Sequence, residues 1–123
     1  MAWTVSFGDE FDQEFDLLPP DVQNAFLVEA KLLAEFGPQL GRPHVDTLEG
    51  SAYANMKELR FDAQNGVWRV AFAFDPQRNA IVLVAGDKSG ISQKRFYRRL
   101  VAEADKRYGR HLARLGAASR KRQ

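Results

Sequence analysis

Apolar residues near the start of the chain follow two spacings, and each spacing predicts a different element. Residues 3–7 alternate between apolar and polar and include strand-forming types, which predicts a first strand. Phe7, Phe11 and Phe15 then recur every four residues within the acidic segment 9–16. This spacing puts the three rings on one face of a short helix.

A second helix is predicted over residues 20–36. Proline is tolerated in a first helical turn, so Pro20 suits the start, and Gly37 followed by Pro38 is a strong stop signal. Residues 39–50 should form an ordered loop with apolar anchors. The buried stripe of the helix is expected to consist of Val22, Phe26, Ala30 and Leu33.

Three strands are predicted close together in the middle of the chain. Residues 56–62, 67–75 and 80–85 are rich in strand-forming types. The connections are short: residues 64–66 contain Asn-Gly, which readily supplies positive φ, and residues 76–79 contain a proline. Short connections favour neighbouring antiparallel strands, so we expect a meander.

A last helix is predicted to start after Ser92, which can cap it, and to run to about Leu112 or beyond. The order β-α-α-β-β-β-α predicts an α+β fold. We expect an antiparallel-rich sheet packed against the two N-terminal helices, with the C-terminal helix at its edge. Apolar residues at every fourth position give the packing face of that helix: Phe96, Leu100, Ala104, Tyr108 and Leu112.

Composition fits one small globular domain. The chain has 123 residues, of which 45% are hydrophobic and 28% charged, so we expect a single domain over residues 1–115 and a basic flexible tail over 116–123. It has no cysteine, which excludes disulfides and thiolate nucleophiles. The N-terminus has no basic segment followed by a long apolar run, and no membrane-length apolar stretch occurs. We therefore expect a cytoplasmic protein.

Charge is distributed unevenly along the chain. Residues 1–59 contain three Lys/Arg and eleven Asp/Glu, whereas residues 60–123 contain fifteen Lys/Arg and five Asp/Glu. The two parts therefore carry −8 and +10, although the net charge is only +2. A basic half of this kind is typical of a nucleic-acid partner, but a solvated helix face would give the same pattern.

Three segments resemble the RelE/ParE toxin superfamily, and most closely its phage-derived, HigB-like branch. The first is GRPHVDTL at 41–48 with MKELR at 56–60, and the second is WRVAF at 68–72. The third is GDK at 86–88 followed by RFY at 95–97 and the basic helix. The resemblance spans nearly the whole chain, and the combination is more specific than any one segment.

The resemblance implies the toxin of a type II toxin–antitoxin module. Many members of the superfamily cleave mRNA on the ribosome without a metal or cofactor, so the implied partners are mRNA, the ribosome and a cognate helix-turn-helix antitoxin. Operator DNA would be bound only through the antitoxin complex, and no membrane partner is implied. ParE relatives share the fold but inhibit DNA gyrase, and a catalytically weak module that binds only RNA or antitoxin is a further alternative.

Strand alternation gathers three polar side chains on one face of the predicted hairpin. Glu58 and Arg60 share a face of their strand, and Arg69 lies opposite the core-facing residues of the next strand. Guanidinium groups bind phosphate in a planar fork and stay charged. The resemblance implies phosphate-contacting roles for Arg60 and Arg69, although a surface ion pair with Glu58 is the alternative.

Lys88 and Tyr97 complete the predicted catalytic set. Lys88 leaves the last strand toward the same region, and the resemblance implies a phosphate ligand there; a solvated loop lysine is the alternative. Tyr97 points about 100° away from the core stripe and matches a tyrosine that acts in stacking or proton transfer in relatives; completing the rim of the core is the alternative. Further RNA-contacting residues are predicted to be Glu58, Lys94, Arg95, Arg98 and Arg99.

The chain has only two histidines, which departs from HigB proteins that use histidines near the last helix. His111 is expected to stabilise the C-terminal end of the last helix. His44 would reach the site only if its loop folds over the sheet. Two isolated histidines do not form a ligand set, so we expect no metal site. Lys57, a weaker candidate for the general base, should lie on the face opposite Arg60.

Overall fold

The computed structural model of the chain describes residues 3–121, with side chains described for residues 3–117. The α+β fold is confirmed. The elements are β1 (Thr4–Phe7), α1 (Asp9–Phe15), α2 (Pro20–Phe36), a 3-10 turn (Gly37–Gln39), β2 (Val45–Thr47), β3 (Met56–Ala63), β4 (Gly66–Phe74), β5 (Asn79–Asp87) and α3 (Gln93–Lys121).

The five strands form one sheet in the order β1-β5-β4-β3-β2. β1 is parallel to β5, and the other pairs are antiparallel, so the predicted meander of β3, β4 and β5 is confirmed. β2 was predicted to be loop. It is three residues long, too short to show alternation, and its pairing places Asp46 opposite Glu58 on β3.

A two-residue turn sets the register of the β3–β4 hairpin. Gln64 and Asn65 have φ values of 50° and 60°. The two residues with left-handed backbone are therefore Gln64 and Asn65, one position before the Asn65-Gly66 pair that the sequence suggested. Both positive φ values suit a turn whose twist matches that of the flanking strands. Because Ala63 pairs with Gly66, Arg60 pairs directly with Arg69.

The helices cover both faces of the sheet. α1 and α2 pack on one face, where Phe26, Leu33, Leu59 and Phe72 belong to one core cluster. α3 lies across the other face rather than at the predicted edge. Its residues Phe96, Leu100, Ala104 and Tyr108 pack against Met56, Ala71, Ala73, Ile81 and Leu83.

Small residues explain why α3 can lie on the sheet. Ala71 and Ala73 of β4 leave room above the strand. A methyl group added at Gly86 of β5 would lie 2.8 Å from the Phe96 ring, closer than carbon atoms tolerate. Ser92 accepts a hydrogen bond from the Arg95 N–H at 3.2 Å, so the predicted N-terminal cap is confirmed.

Acidic α1 and basic α3 are joined by ion pairs. Arg107, buried in α3, donates to both carboxylate oxygens of Glu14 at 2.7 Å and to the carbonyl of Leu83 at 2.7 Å. Further along α3, Arg110 contacts Glu10 at 2.8 Å and Arg114 contacts Asp9 at 3.0 Å. Part of the charge asymmetry of the sequence is therefore neutralised within the molecule.

α3 continues to Lys121, beyond the expected end near Leu112. The predicted tail at 116–123 therefore begins inside this helix, and residues 122–123 lie outside the described part of the chain. The division into domain and flexible tail stays a prediction. Within residues 3–121, no helix has the length and apolar content needed to cross a membrane.

We expect Arg107→Leu to lower the free energy of unfolding by about 2–3 kcal/mol, because it leaves Glu14 and the Leu83 carbonyl without their donor. Arg110→Ala removes a single, half-exposed ion pair and should cost less than about 1 kcal/mol. Urea denaturation of both variants measures the difference. Equal losses in the two variants would show that Arg107 has no special structural role.

Candidate functional site

Two arginines face each other across the β3–β4 hairpin, and one carboxylate lies between them. The Glu58 Oε1 atom is 3.6 Å from Nε of Arg60 and 3.7 Å from Nε of Arg69. Like charges directly opposite on paired strands repel each other. Glu58 offsets that repulsion, so the three residues form one electrostatic unit.

Tyr97, in the first turns of α3, binds the same oxygen. Its hydroxyl donates to Glu58 Oε1 at 3.0 Å and accepts from Arg69 Nε at 3.3 Å. Phe96, the neighbour of Tyr97, is buried against the sheet, and this fixes where the tyrosine ring projects. The structure therefore brings together four residues that the sequence predicted to converge: Glu58, Arg60, Arg69 and Tyr97.

The position of each side chain relative to the open cleft separates the possible actions of these residues. Glu58 and Arg60 both line the cleft, and the Arg60 side chain is 33% exposed, so these two residues can meet a ligand there. Arg69 does not line this cleft; it is buried and also donates to the Trp68 carbonyl at 2.8 Å. Arg69 therefore acts on the cleft mainly by holding Glu58 and Tyr97.

Burial raises the pKa of Glu58 above its usual value, although the Tyr97 hydroxyl and the two arginines act in the opposite direction. Burial also raises the pKa of Tyr97, against the hydrogen bond from Arg69. Desolvation lowers the pKa of Lys88, and the positive charges of Arg69 and Arg60 lower it further. The site therefore contains a carboxyl group and an amine whose pKa values are both shifted toward neutrality.

Glu58, Tyr97 and Lys88 border an open cleft of about 660 Å³. Lys88 also approaches the Tyr97 ring, with Nζ 5.9 Å from its centroid. The charged residues that line the cleft are three acids and three bases: Asp46, Glu49, Glu58, Arg60, Lys88 and Lys94. The cleft itself is nearly balanced in charge, so attraction of a polyanion must come from its surroundings.

The exposed cations at the start of α3 supply such surroundings. Lys94 lines the cleft, and Arg98 lies beside it with Lys94 and Tyr97 around a neighbouring depression. Arg95 is exposed, and Arg99 faces a separate groove next to β5. Within the described residues these four cations form no ion pairs, unlike the three arginines further along the helix.

Several residues at the cleft were not predicted. Asp46 and Thr47 reach it because β2 pairs with β3, and the hydrogen bond from Arg42 lowers the pKa of Asp46. The four-residue spacing between Arg42 and Asp46 was the sequence signal that could have indicated this ion pair, but oppositely charged residues four positions apart are also common by chance. Lys57 lies on the opposite strand face from Arg60, as predicted, and donates to Thr47 at 3.2 Å.

Neither histidine enters the cleft. His44 Nδ1 lies 2.8 Å from Glu29 Oε2 and borders a second pocket beside Arg60. His111 was predicted at a helix end but lies within α3, because the helix is longer than expected. Its Nε2 is 2.9 Å from the buried carboxylate of Asp75. Among the described residues, no three His, Asp or Glu side chains gather as a possible metal site.

Residues 13–109 match a family model described as "Phage derived protein Gp49-like (DUF891)". The chain belongs to this Gp49-like family. Two relatives from Mycobacterium tuberculosis are named as candidate toxins: HigB2, 46% identical over 84 residues, and HigB3, 49% identical over 82 residues. The matches cover 68% and 67% of this chain but 41% and 69% of those proteins, so the chain spans less than half the length of HigB2.

The Gp49-like chain also shares the fold of a solved toxin. An Escherichia coli RelE arginine double mutant in its free state superposes with a TM-score of 0.60 and 16% sequence identity. The alignment covers 87% of this chain and 98% of RelE. The family match and the HigB-type relatives confirm the HigB-like assignment of the sequence, and the comparison with RelE shows a shared fold.

In the Gp49-like chain, we expect the pKa of the Glu58 carboxyl to lie above the ordinary value of 4.5. Arg60→Gln should raise it further, because the guanidinium favours the ionised form. A carbon-13 NMR titration of the glutamate carboxyls measures both values. Lys57→Gln, on the opposite strand face, is the control and should leave the Glu58 titration unchanged. An unshifted Glu58 would contradict the assigned electrostatics.

Proposed function

We propose that this protein is the toxin of a type II toxin–antitoxin module and a ribosome-dependent mRNA endoribonuclease that needs no metal. The observation that carries the proposal is the buried Glu58 carboxylate, held by Tyr97 and two arginines at an open cleft. The names of the HigB-type relatives support the toxin role. The fold supports it only in part, since folds of this kind host several activities.

The proposed reaction is an attack of the ribose 2′-oxygen on the adjacent phosphorus. The new P–O2′ bond forms as the P–O5′ bond breaks, which leaves a 2′,3′-cyclic phosphate and a 5′-hydroxyl. Glu58 takes the 2′-hydroxyl proton, and Lys88 gives a proton to the leaving 5′-oxygen. Arg60 stabilises the negative charge on the phosphoryl oxygens. Tyr97 and Arg69 act as positioning residues for Glu58.

The directions of the pKa shifts support this assignment. A raised pKa makes Glu58 a stronger base when it is ionised, and a lowered pKa makes Lys88 a better acid. Tyr97 is the weaker candidate for the acid, because its pKa is raised. Activity should fall as pH drops through the pKa of Glu58 and as pH rises through that of Lys88.

The partners follow from the charge of the surface. The exposed start of α3, with Lys94, Arg95, Arg98 and Arg99, would contact phosphates of mRNA and ribosomal RNA. A cognate helix-turn-helix antitoxin would cover the cleft in the inactive complex, and operator DNA would be bound only through that complex. These partners belong in the cytoplasm, where we place the protein.

We expect induced expression to arrest growth and to produce transcript ends within translated reading frames. Glu58→Gln should lower cleavage by about 10²–10⁴-fold, because the proton acceptor is lost. Arg60→Ala should lower it by about 10²–10³-fold, because charge stabilisation is lost. Primer extension from several transcripts measures the ends, with Lys106→Ala, an exposed change on α3, as the control.

Intact transcripts during growth arrest would contradict the nuclease proposal. DNA damage with intact transcripts, unaffected by Arg60→Ala, would instead indicate a gyrase inhibitor of the ParE type. Full tolerance of unopposed expression would indicate a module that only binds RNA or antitoxin.

The two ends of α3 should differ in their contribution to RNA binding. The double variant Lys94→Ala with Arg98→Ala removes two cations that have no ion-pair partner among the described residues. We expect it to bind RNA more weakly, and we expect the slope of log K against log salt concentration to become shallower by about 1.4. The pair Arg110→Ala and Arg114→Ala removes cations already bound to α1. Fluorescence polarisation of a labelled single-stranded RNA at several salt concentrations measures both. Equal losses of RNA binding in the two double variants would show that the ion pairs with α1 do not keep Arg110 and Arg114 from binding RNA.

A further inference from the structure

A second pocket of about 430 Å³ adjoins the main cleft and shares Arg60 with it. It lies where β3 extends beyond β2, between α2 and the loop that precedes β2. Glu29 of α2 and His44 of the loop border it, and the Phe61 ring and Pro43 contribute apolar surface. No step of the proposed reaction uses this pocket.

The charges of the second pocket do not select a phosphate, because its arginines already have acidic partners. Two carboxylates, Glu29 and Asp62, line the pocket together with three arginines. Arg42 is bound to Asp46 at 2.8 Å, Arg69 is buried against Glu58, and Arg60 lies 3.6 Å from Glu58 and 3.7 Å from Asp46. A planar, uncharged ligand rich in hydrogen-bonding groups fits better, because the pocket offers donors, acceptors and apolar surface together.

Guanine has the matching groups. Its N1–H and 2-amino group are adjacent donors that suit a carboxylate, and its O6 and N7 are acceptors that suit a guanidinium. Glu29 is 15% exposed, and a carboxylate has about four lone-pair sites, of which His44 occupies one. The His44 ring is 37% exposed, so a base can stack on it.

We propose that the second pocket binds one base of the bound RNA, with guanine preferred, and that Glu29 determines this preference. The proposal rests on the proposed nuclease function, because the base would belong to a nucleotide next to the one in the main cleft. Arg60 borders both pockets, so one guanidinium would link recognition of the base to the cleavage site. His44 is a positioning residue that orients the Glu29 carboxylate.

The test compares nucleotides that share a phosphate and differ in the base. Titration of the full chain with GMP, IMP and AMP is followed by NMR at the amides of residues 42, 44, 45 and 61. IMP lacks only the 2-amino group, so we expect GMP to bind roughly tenfold more tightly than IMP. Glu29→Gln keeps a hydrogen-bonding partner for His44 but loses the carboxylate. In this variant the affinities for GMP and IMP should differ by no more than about twofold.

Glu35→Gln is the matched control, because Glu35 is an exposed residue of the same helix and loses the same charge. It should keep the full preference for GMP. Equal binding of the three nucleotides to the unmodified protein would overturn the proposal. So would a preference unchanged in Glu29→Gln, or one lost equally in Glu35→Gln.

Mapping of transcript ends separates this proposal from the proposed function. In the unmodified protein we expect guanine enrichment at one fixed position near the cut, and Glu29→Gln should lose it while cleavage continues. Cleavage without such enrichment, together with equal nucleotide binding, would leave the nuclease standing and remove the base pocket. Intact transcripts together with selective GMP binding would remove the nuclease and leave the pocket.

Discussion

The site depends on one buried carboxylate between two guanidinium groups. The β3–β4 register forces Arg60 and Arg69 into direct opposition, and a pair of like charges would weaken the hairpin without compensation. Glu58 supplies that compensation from the neighbouring position on the same strand face. Replacing Glu58 would leave two like charges opposed across the hairpin, whereas replacing either arginine would leave the carboxylate with one cationic partner.

The same constraint gives the carboxylate its chemistry. Burial alone would make Glu58 neutral and inert as a base, whereas full exposure would leave it an ordinary weak one. Desolvation raises the pKa of Glu58, whereas the Tyr97 hydroxyl and the two arginines stabilise its ionised form and limit the rise. Tyr97 contributes to this balance because Gly86 admits Phe96, and Phe96 fixes the start of α3.

Local signals allowed much of this architecture to be predicted from the sequence. The bounds of α2 were predicted correctly, because Pro20 and Gly37 act on the backbone at their own positions. Strand alternation placed Glu58, Arg60 and Arg69 on one face for the same reason. β2 and the position of α3 were not predicted, because a three-residue strand has no periodicity and helix docking depends on distant small residues such as Ala71 and Ala73.

Contacts between distant segments explain what the sequence could not indicate about the two pockets. Glu29 and His44 are fifteen positions apart, and nothing in the spacing relates a helix residue to a loop residue. The overall charge imbalance was equally ambiguous, since α1 neutralises Arg107, Arg110 and Arg114. Beside the charge-balanced cleft, Lys94, Arg95, Arg98 and Arg99 form a short basic surface without ion pairs within the described residues. Such a site would attract a polyanion at its rim. Inside the cleft, selection between different ligands must come from hydrogen bonding, because the net charge there is close to zero.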